Sequence, residues 1–139
     1  MANTKVKGYN ILLTIGGKSI VGTTADTFSG GGVLKESIQK SDAGSTQYSN
    51  AGFEGTHSVN AFVYNGTAAS GEMNVESLMS NCATNATGTY VLAFGTTPGD
   101  PKITGTCTFD SFTLNSDSEN YADCTVDITI TSAPTVTTV

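Results

Sequence analysis

The carboxylates of the C-terminal half are the first residues that could do chemistry, because paired acids can serve as general acid and base. Asp123 and Asp127 share one face of an alternating segment, about 13 Å apart by strand rise, which is too far for a glycosidase pair. Asp117 and Glu119 flank a serine in a polar turn that lacks the regular spacing of a calcium loop. We therefore predict that these acids form a solvated face.

No other residue types combine into a catalytic, cofactor or metal site. His57 is the single histidine, and no GxSxG elbow accompanies it as a serine hydrolase would need. None of Cys82, Cys107 and Cys124 has metal-binding spacing, and the two that fall in alternating segments are predicted to be small buried hydrophobes. The glycines at 30–32 fit neither phosphate-loop pattern and predict a turn. The sequence therefore predicts a protein that is not an enzyme and holds no cofactor.

Charge and composition narrow the class of protein further. The 139 residues suggest one domain, 1–139, and carry a net charge of −6 with no arginine. Residues 70–139 hold one lysine, Lys102, against eight acids. This composition disfavours tight binding of nucleic acid. It is compatible with an acidic surface that repels DNA. The first ten residues lack an apolar signal region, and no apolar run has the length of a membrane helix.

Period-two alternation predicts most of the chain to be strand. Strand segments are expected at 9–15, 18–28, 33–41, 57–64, 89–94, 103–114 and 121–131. Gly16 and Gly17 suit a two-residue hairpin turn, and a change of parity around Asp110 predicts a bulge. One short helix is expected at 71–82, capped by Asn74. The fold predicted is mainly β, an antiparallel β-sandwich or open barrel of about seven strands with one short α-helix.

The segments outside the strands are candidates for contacts between subunits. Residues 42–55 are polar and small apart from Tyr48 and Phe53, and they are predicted to be a long loop. Such aromatic residues anchor protein interfaces, although a loop folded back on its own domain is the alternative. Residues 1–8 and 132–139 are predicted to be terminal arms, the first of them flexible.

Several of these segments, in this order, resemble the tail tube (major tail) proteins of phages with long non-contractile tails, the lactococcal-type subfamily most of all. The segments are ILLTIGGKSIVGTT at 11–24, Lys40-Ser41-Asp42, SVNAFVYNG at 58–66, TYVLAF at 89–94 and the final alternating strand after an acidic turn. The resemblance covers residues 5–132. The family commonly has a tryptophan before the aromatic strand, which this chain lacks, and Tyr48 and Phe53 are the candidates to replace it.

The resemblance implies a structural virion protein that assembles with itself. Hexameric rings would stack into a tube around a lumen through which DNA passes during ejection, with the tape measure and tail terminator as further partners and no membrane contact. The protein would be made in the cytoplasm of the host and end in the virion. Ring-to-ring contacts would come from the long loop and the arms, which nominates Lys40, Asp42, Tyr48 and Phe53. Independently, the acidic strand face suits a conduit for DNA, so Asp123 and Asp127 are predicted to face the lumen, with the outer surface as the competing assignment.

Two other functions stay open at this point. A secretion-system tube protein would share the fold. A carbohydrate-binding or adhesin-like β-sandwich would want an exposed aromatic platform, usually with tryptophan, and often secretion, and the sequence shows neither.

Overall fold

The computed structural model describes residues 5–37, 47–64 and 66–139. Within these ranges a 3₁₀ turn, Gly8–Asn10, precedes nine strands and one helix. In chain order these are β1 Leu12–Ile15, β2 Ser19–Ile20, β3 Thr23–Ser37, β4 Gln47–Phe62, β5 Glu72–Met73, α1 Val75–Thr84, β6 Thr87–Ala93, β7 Pro101–Asn115, β8 Asp123–Ile130 and β9 Thr135–Thr138.

Seven of the strands form one curled, antiparallel sheet, a half-barrel. The order across it is β1-β6-β7-β8-β4-β3, and β9 pairs with the first residues of β7. β2 and β5 form a separate parallel pair. The predicted class is confirmed: a mainly β fold whose sheet has seven strands, with one helix beside it.

One face of the sheet holds the core, as the alternation in β8 predicts. Cys124, Val126, Ile128 and Ile130 are all buried, and the residues between them are not. Burying each aliphatic side chain contributes roughly 1.5–3 kcal/mol, so this strand is central to the stability of the fold. The three cysteines are free and buried, as small hydrophobes are. Burial raises the pKa of the Cys107 thiol to about 11.

The local turn and cap predictions hold because their causes are local. Gly16 and Gly17 have φ of 61° and 79°, and the hairpin closes with the Ile15–Lys18 pair. The Asn74 side chain accepts a hydrogen bond from the Ser77 N–H at 3.1 Å, so the helix begins after Asn74 rather than at residue 71. At the other end Asn85 takes the left-handed conformation. The predicted bulge is present as a register shift between Phe109 and Ser111.

Two sequence predictions around the β3–β4 hairpin are wrong. The glycines at 30–32 do not break a strand, since they lie within β3. Gly30 instead makes room for an aromatic ring: a Cβ there would stand 2.7 Å from Cζ of Phe53. The loop predicted at 42–55 is strand from Gln47 onward, because backbone pairing with β3 needs no apolar side chains. Residues 42–46 lie outside the described part of the chain.

The terminal segments differ from each other. Within the predicted C-terminal arm, β9 adds a short strand beside β7, although all four of its side chains stay exposed. Residues 5–7 have no regular structure and are exposed.

Candidate assembly surfaces

The outer half of the β3–β4 hairpin is a two-stranded ribbon. β4 pairs with β8 only from Gly55 to Phe62, while its pairing with β3 continues to Gln47. Residues 31–37 and 47–54, called the ribbon below, therefore pair only with each other and with no third strand among the described residues. A two-stranded hairpin by itself is only marginally stable in water. Packing against another surface would therefore stabilise the ribbon.

The ribbon presents two large apolar side chains to solvent. Leu34 is 68% exposed and Tyr48 is 62% exposed. Since Leu34 lies opposite Asn50 and Glu36 lies opposite Tyr48, all four side chains share one face. Large apolar side chains that are exposed in this way are typical of residues that anchor protein interfaces.

Of the two nominated contact residues that the structure describes, Tyr48 is an exposed side chain of the ribbon and Phe53 is not. Phe53 is half-buried and packs between Gly30 and Gly55, where it fixes the ribbon to the core. Lys40 and Asp42 lie outside the described residues.

The two end strands of the sheet have open edges. β1 and β3 stand at opposite ends of the strand order, and among the described residues neither pairs with a strand on its outer side. The edge of β3 runs for 15 residues. Unpaired N–H and C=O groups along such an edge are a template for another strand.

The face of β8 opposite the core carries the two acids predicted to line a lumen. Asp123 and Asp127 both point away from the core residues of the strand. Asp127 accepts hydrogen bonds from the Ser58 hydroxyl at 2.8 Å and the Ser111 hydroxyl at 3.1 Å, so β4 and β7 hold it in place. Asp123 is exposed at the end of the strand. This polar ladder spans three neighbouring strands.

A buried polar cluster that sequence reasoning missed crosses the interior. The His57 Nδ1 atom lies 3.0 Å from the Tyr90 hydroxyl, and its Nε2 atom lies 2.8 Å from Oδ2 of Asp26. A neutral imidazole satisfies both contacts, accepting from Tyr90 and donating to Asp26. Burial is the largest effect on His57 and lowers its pKa, although Asp26 opposes this. The parity of His57 with Val59 and Ala61 was the signal that it faces the core.

This cluster connects β3 and β4, which are paired with each other, to β6, which pairs with neither of them. Asp26 lies on β3, His57 on β4 and Tyr90 on β6. Although the arrangement resembles a hydrolytic triad, the Tyr90 side chain is fully buried, and burial raises its pKa. Its hydroxyl therefore has no access to a substrate, and the cluster connects the two sides of the half-barrel.

No metal-binding cluster of three or more His, Cys, Asp or Glu occurs among residues 5–37, 47–64 and 66–139. In the same part of the chain, no helix is long and apolar enough to cross a membrane.

Comparison with solved structures shows which fold this is. Two similar chains come from a gene transfer agent: its native virion, with a TM-score of 0.66 and 11% identity, and the tail of an empty particle computed with C6 symmetry, at 0.67 and 13%. Each match covers 94% of this chain and 98% of the other. The SPP1 tail tube matches with a TM-score of 0.71 and 8% identity, over 97% of this chain and 80% of its own. No family model matches the chain, and no curated protein matches it in sequence. The chain therefore has the fold seen in tail tubes.

Proposed function

We propose that this protein is a structural subunit of a phage tail tube, in which six copies form a ring and rings stack around a lumen for DNA. The observation that carries this proposal is a tail-tube fold along nearly the whole chain, with an open β-strand edge at each end of its curled sheet. A half-barrel with two free edges is a wall segment that lacks its neighbours. We assign no enzymatic activity to it.

Ring closure follows from the open edges. If the β1 edge of one copy meets the β3 edge of the next, the contact is heterologous, and it closes when the rotation between copies completes a circle. Backbone hydrogen bonds across each junction supply affinity without requiring a particular side chain. The C6 symmetry of the gene transfer agent tail supports six as the number of copies.

The polar ladder on the face opposite the core suits the lumen wall. Asp123 and Asp127 repeat around the ring in this arrangement, and a ring of carboxylates repels phosphates. The chain has no arginine to hold a DNA backbone, so DNA slides past without binding. Assembled tubes with both carboxylates on the outer surface would overturn this assignment.

Stacking of rings is assigned to the ribbon. The face of the ribbon that exposes Leu34 and Tyr48 lies beyond the residues that pair with β8, where it can contact another ring. Lys40 and Asp42 lie in the sequence between the two ribbon strands, and we assign them to the same contact. Tape measure and terminator proteins would meet the inside and the end of such a tube in the virion.

Electron microscopy of the purified protein tests this function. We expect tubes or rings with a central hole, with six-fold symmetry in end-on class averages. A protein that stays monomeric at high concentration contradicts the proposal and leaves a monomeric binding module as the function. Tubes that assemble but lie in a secretion apparatus rather than in phage particles, as shown by immunogold labelling of lysates, contradict the assignment to a phage.

A further inference from the structure

A shallow aromatic groove lies at the end of β4 opposite the ribbon. Phe62 and Tyr64 line it together with Tyr121, whose side chain is 90% exposed. The rings of Phe62 and Tyr121 meet edge to face, with centroids 6.5 Å apart. The Tyr64 ring lies directly over Gly22, where no larger residue fits. Aromatic side chains that are held in place yet exposed are typical of interface anchors.

Acidic side chains continue the groove beyond Tyr121. Asp117 and Asp123 line this part, and Glu119 follows in the same turn. Asp117 accepts hydrogen bonds from the backbone N–H groups of Glu119 and Asn120, which gives the turn a defined shape. No lysine forms an ion pair with these acids within the described ranges. The groove therefore suits a segment that is both apolar and basic.

The N-terminal segment of this chain has that chemistry. Residues 5–9, called the arm below, contain Lys5, Val6, Lys7 and Tyr9, all exposed, and the first ten residues include no acid. Tyr9 is 74% exposed, and the Lys7 ammonium lies 5.7 Å from the centre of its ring. None of these residues lines the groove of their own chain.

We propose that the arm of one copy docks in the aromatic and acidic groove of a second copy. This proposal rests on the proposed function, since the second copy is a neighbour in the assembly. Two lysines would face the carboxylates of Asp117, Glu119 and Asp123, while Val6 and Tyr9 would cover the rings of the groove. Complementary charge in such a contact selects the partner and orients it.

The ribbon is another segment with exposed apolar side chains that could occupy the groove. The charge on its apolar face disfavours this docking. Glu36 lies on the same face as Leu34 and Tyr48. Docking that face would bring a carboxylate against three acids, whereas the arm brings two ammonium groups.

Cysteine cross-linking tests the contact directly. In a variant with Lys7→Cys and Tyr121→Cys, mild oxidation should give dimers and a ladder of higher species on a non-reducing gel. The three native cysteines are buried, so they contribute little background. Lys18→Cys with Tyr121→Cys is the matched control, because Lys18 is exposed on the β1–β2 turn. A ladder from Glu36→Cys with Tyr121→Cys, and none from the arm variant, would assign the groove to the ribbon and overturn the proposal.

Charge reversal gives a second, independent reading. Lys5→Glu with Lys7→Glu should raise the concentration needed for assembly by about 2-fold to 30-fold, as expected for two exposed ion pairs. Adding Glu119→Lys and Asp123→Lys should restore assembly, whereas Lys18→Glu should change little. An arm variant that assembles like the unaltered protein contradicts the docking. If the unaltered protein forms no tubes, the tail function fails, and the cross-links still report whether arm and groove meet.

Discussion

The β3–β4 hairpin contains two regions with opposite properties. At its base, residues 23–30 and 55–62, the hairpin pairs with β8 and supplies His57, Val59 and Ala61 to the core. In the ribbon, the same two strands continue without a third strand and expose Leu34 and Tyr48. One continuous pair of strands therefore has a base that contributes to the core and an outer part whose large apolar side chains remain exposed. The boundary is marked by Phe53 between Gly30 and Gly55.

The largest expected effect comes from removing the ribbon. Replacing residues 33–52 with Asn-Gly would join Gly32 to Phe53, which lie opposite each other, by a two-residue hairpin turn. We expect tubes to be lost in electron micrographs, while the cooperative thermal unfolding of the monomer is retained, because none of the core residues that the structure describes is deleted. The double variant Leu34→Ser, Tyr48→Ser keeps the ribbon and removes only its apolar anchors. Normal tubes from the excised variant would contradict the assembly role of the ribbon.

The same division explains what the sequence could and could not predict. β8 was predictable because one of its faces is buried, and the cap at Asn74 because its partner is three residues away. The outer part of β4, residues 47–54, was missed because both of its faces are polar apart from isolated residues, so no alternation distinguishes it from a loop. The glycines at 30–32 were misread because the side chains next to Gly30 and Gly32, which are Phe53 and Asn50, are distant in sequence.

The buried cluster shows the same limit for the candidate sites. The contacts of His57 with Asp26 and Tyr90 span 31 and 33 residues in the sequence. The contact with Tyr90 also joins two strands, β4 and β6, that are not paired with each other. Parity places His57 on the core face, but it does not identify the partners. Conversely, the acids of β8 were placed correctly on the polar face by parity alone.

Two glycine substitutions test the boundary between base and ribbon. In Gly55→Ala the new Cβ would lie 2.6 Å from Cε1 of Phe53, so we expect a loss of about 1–3 kcal/mol in the free energy of unfolding. Gly31→Ala is the matched control, since its Cβ would meet nothing within 4 Å and its φ is not in the left-handed region. It should be neutral or stabilising by up to about 1 kcal/mol, because it reduces the entropy of the unfolded chain.

Urea unfolding of the ribbon-excised monomer measures both effects without a contribution from assembly. Equal destabilisation by the two substitutions would mean that Phe53 does not fix the boundary. In that case the ribbon and the base would respond as one structural unit.

The smallest expected effect is a dependence of stability on pH that belongs to the base alone. Burial holds the pKa of His57 below 6.5, so the unfolded chain binds a proton at mildly acidic pH that the folded chain does not. Stability should therefore be complete above about pH 7 and fall as the pH drops below 6.5, by at most about 1.4 kcal/mol per pH unit.

The measurement of this slope is unusually direct, because His57 is the single histidine of the chain. Its imidazole resonances can be titrated by NMR in the ribbon-excised monomer, and urea unfolding between pH 5.5 and 7.5 gives the matching slope. Since most carboxylates titrate below this range, a slope here reports the buried imidazole rather than the acidic surface. A folded-state pKa at or above 6.5, or stability that rises as the pH falls, would mean that Asp26 outweighs burial. The cluster would then be a charged pair holding the base together, and the hairpin would differ along its length in charge as well as in exposure.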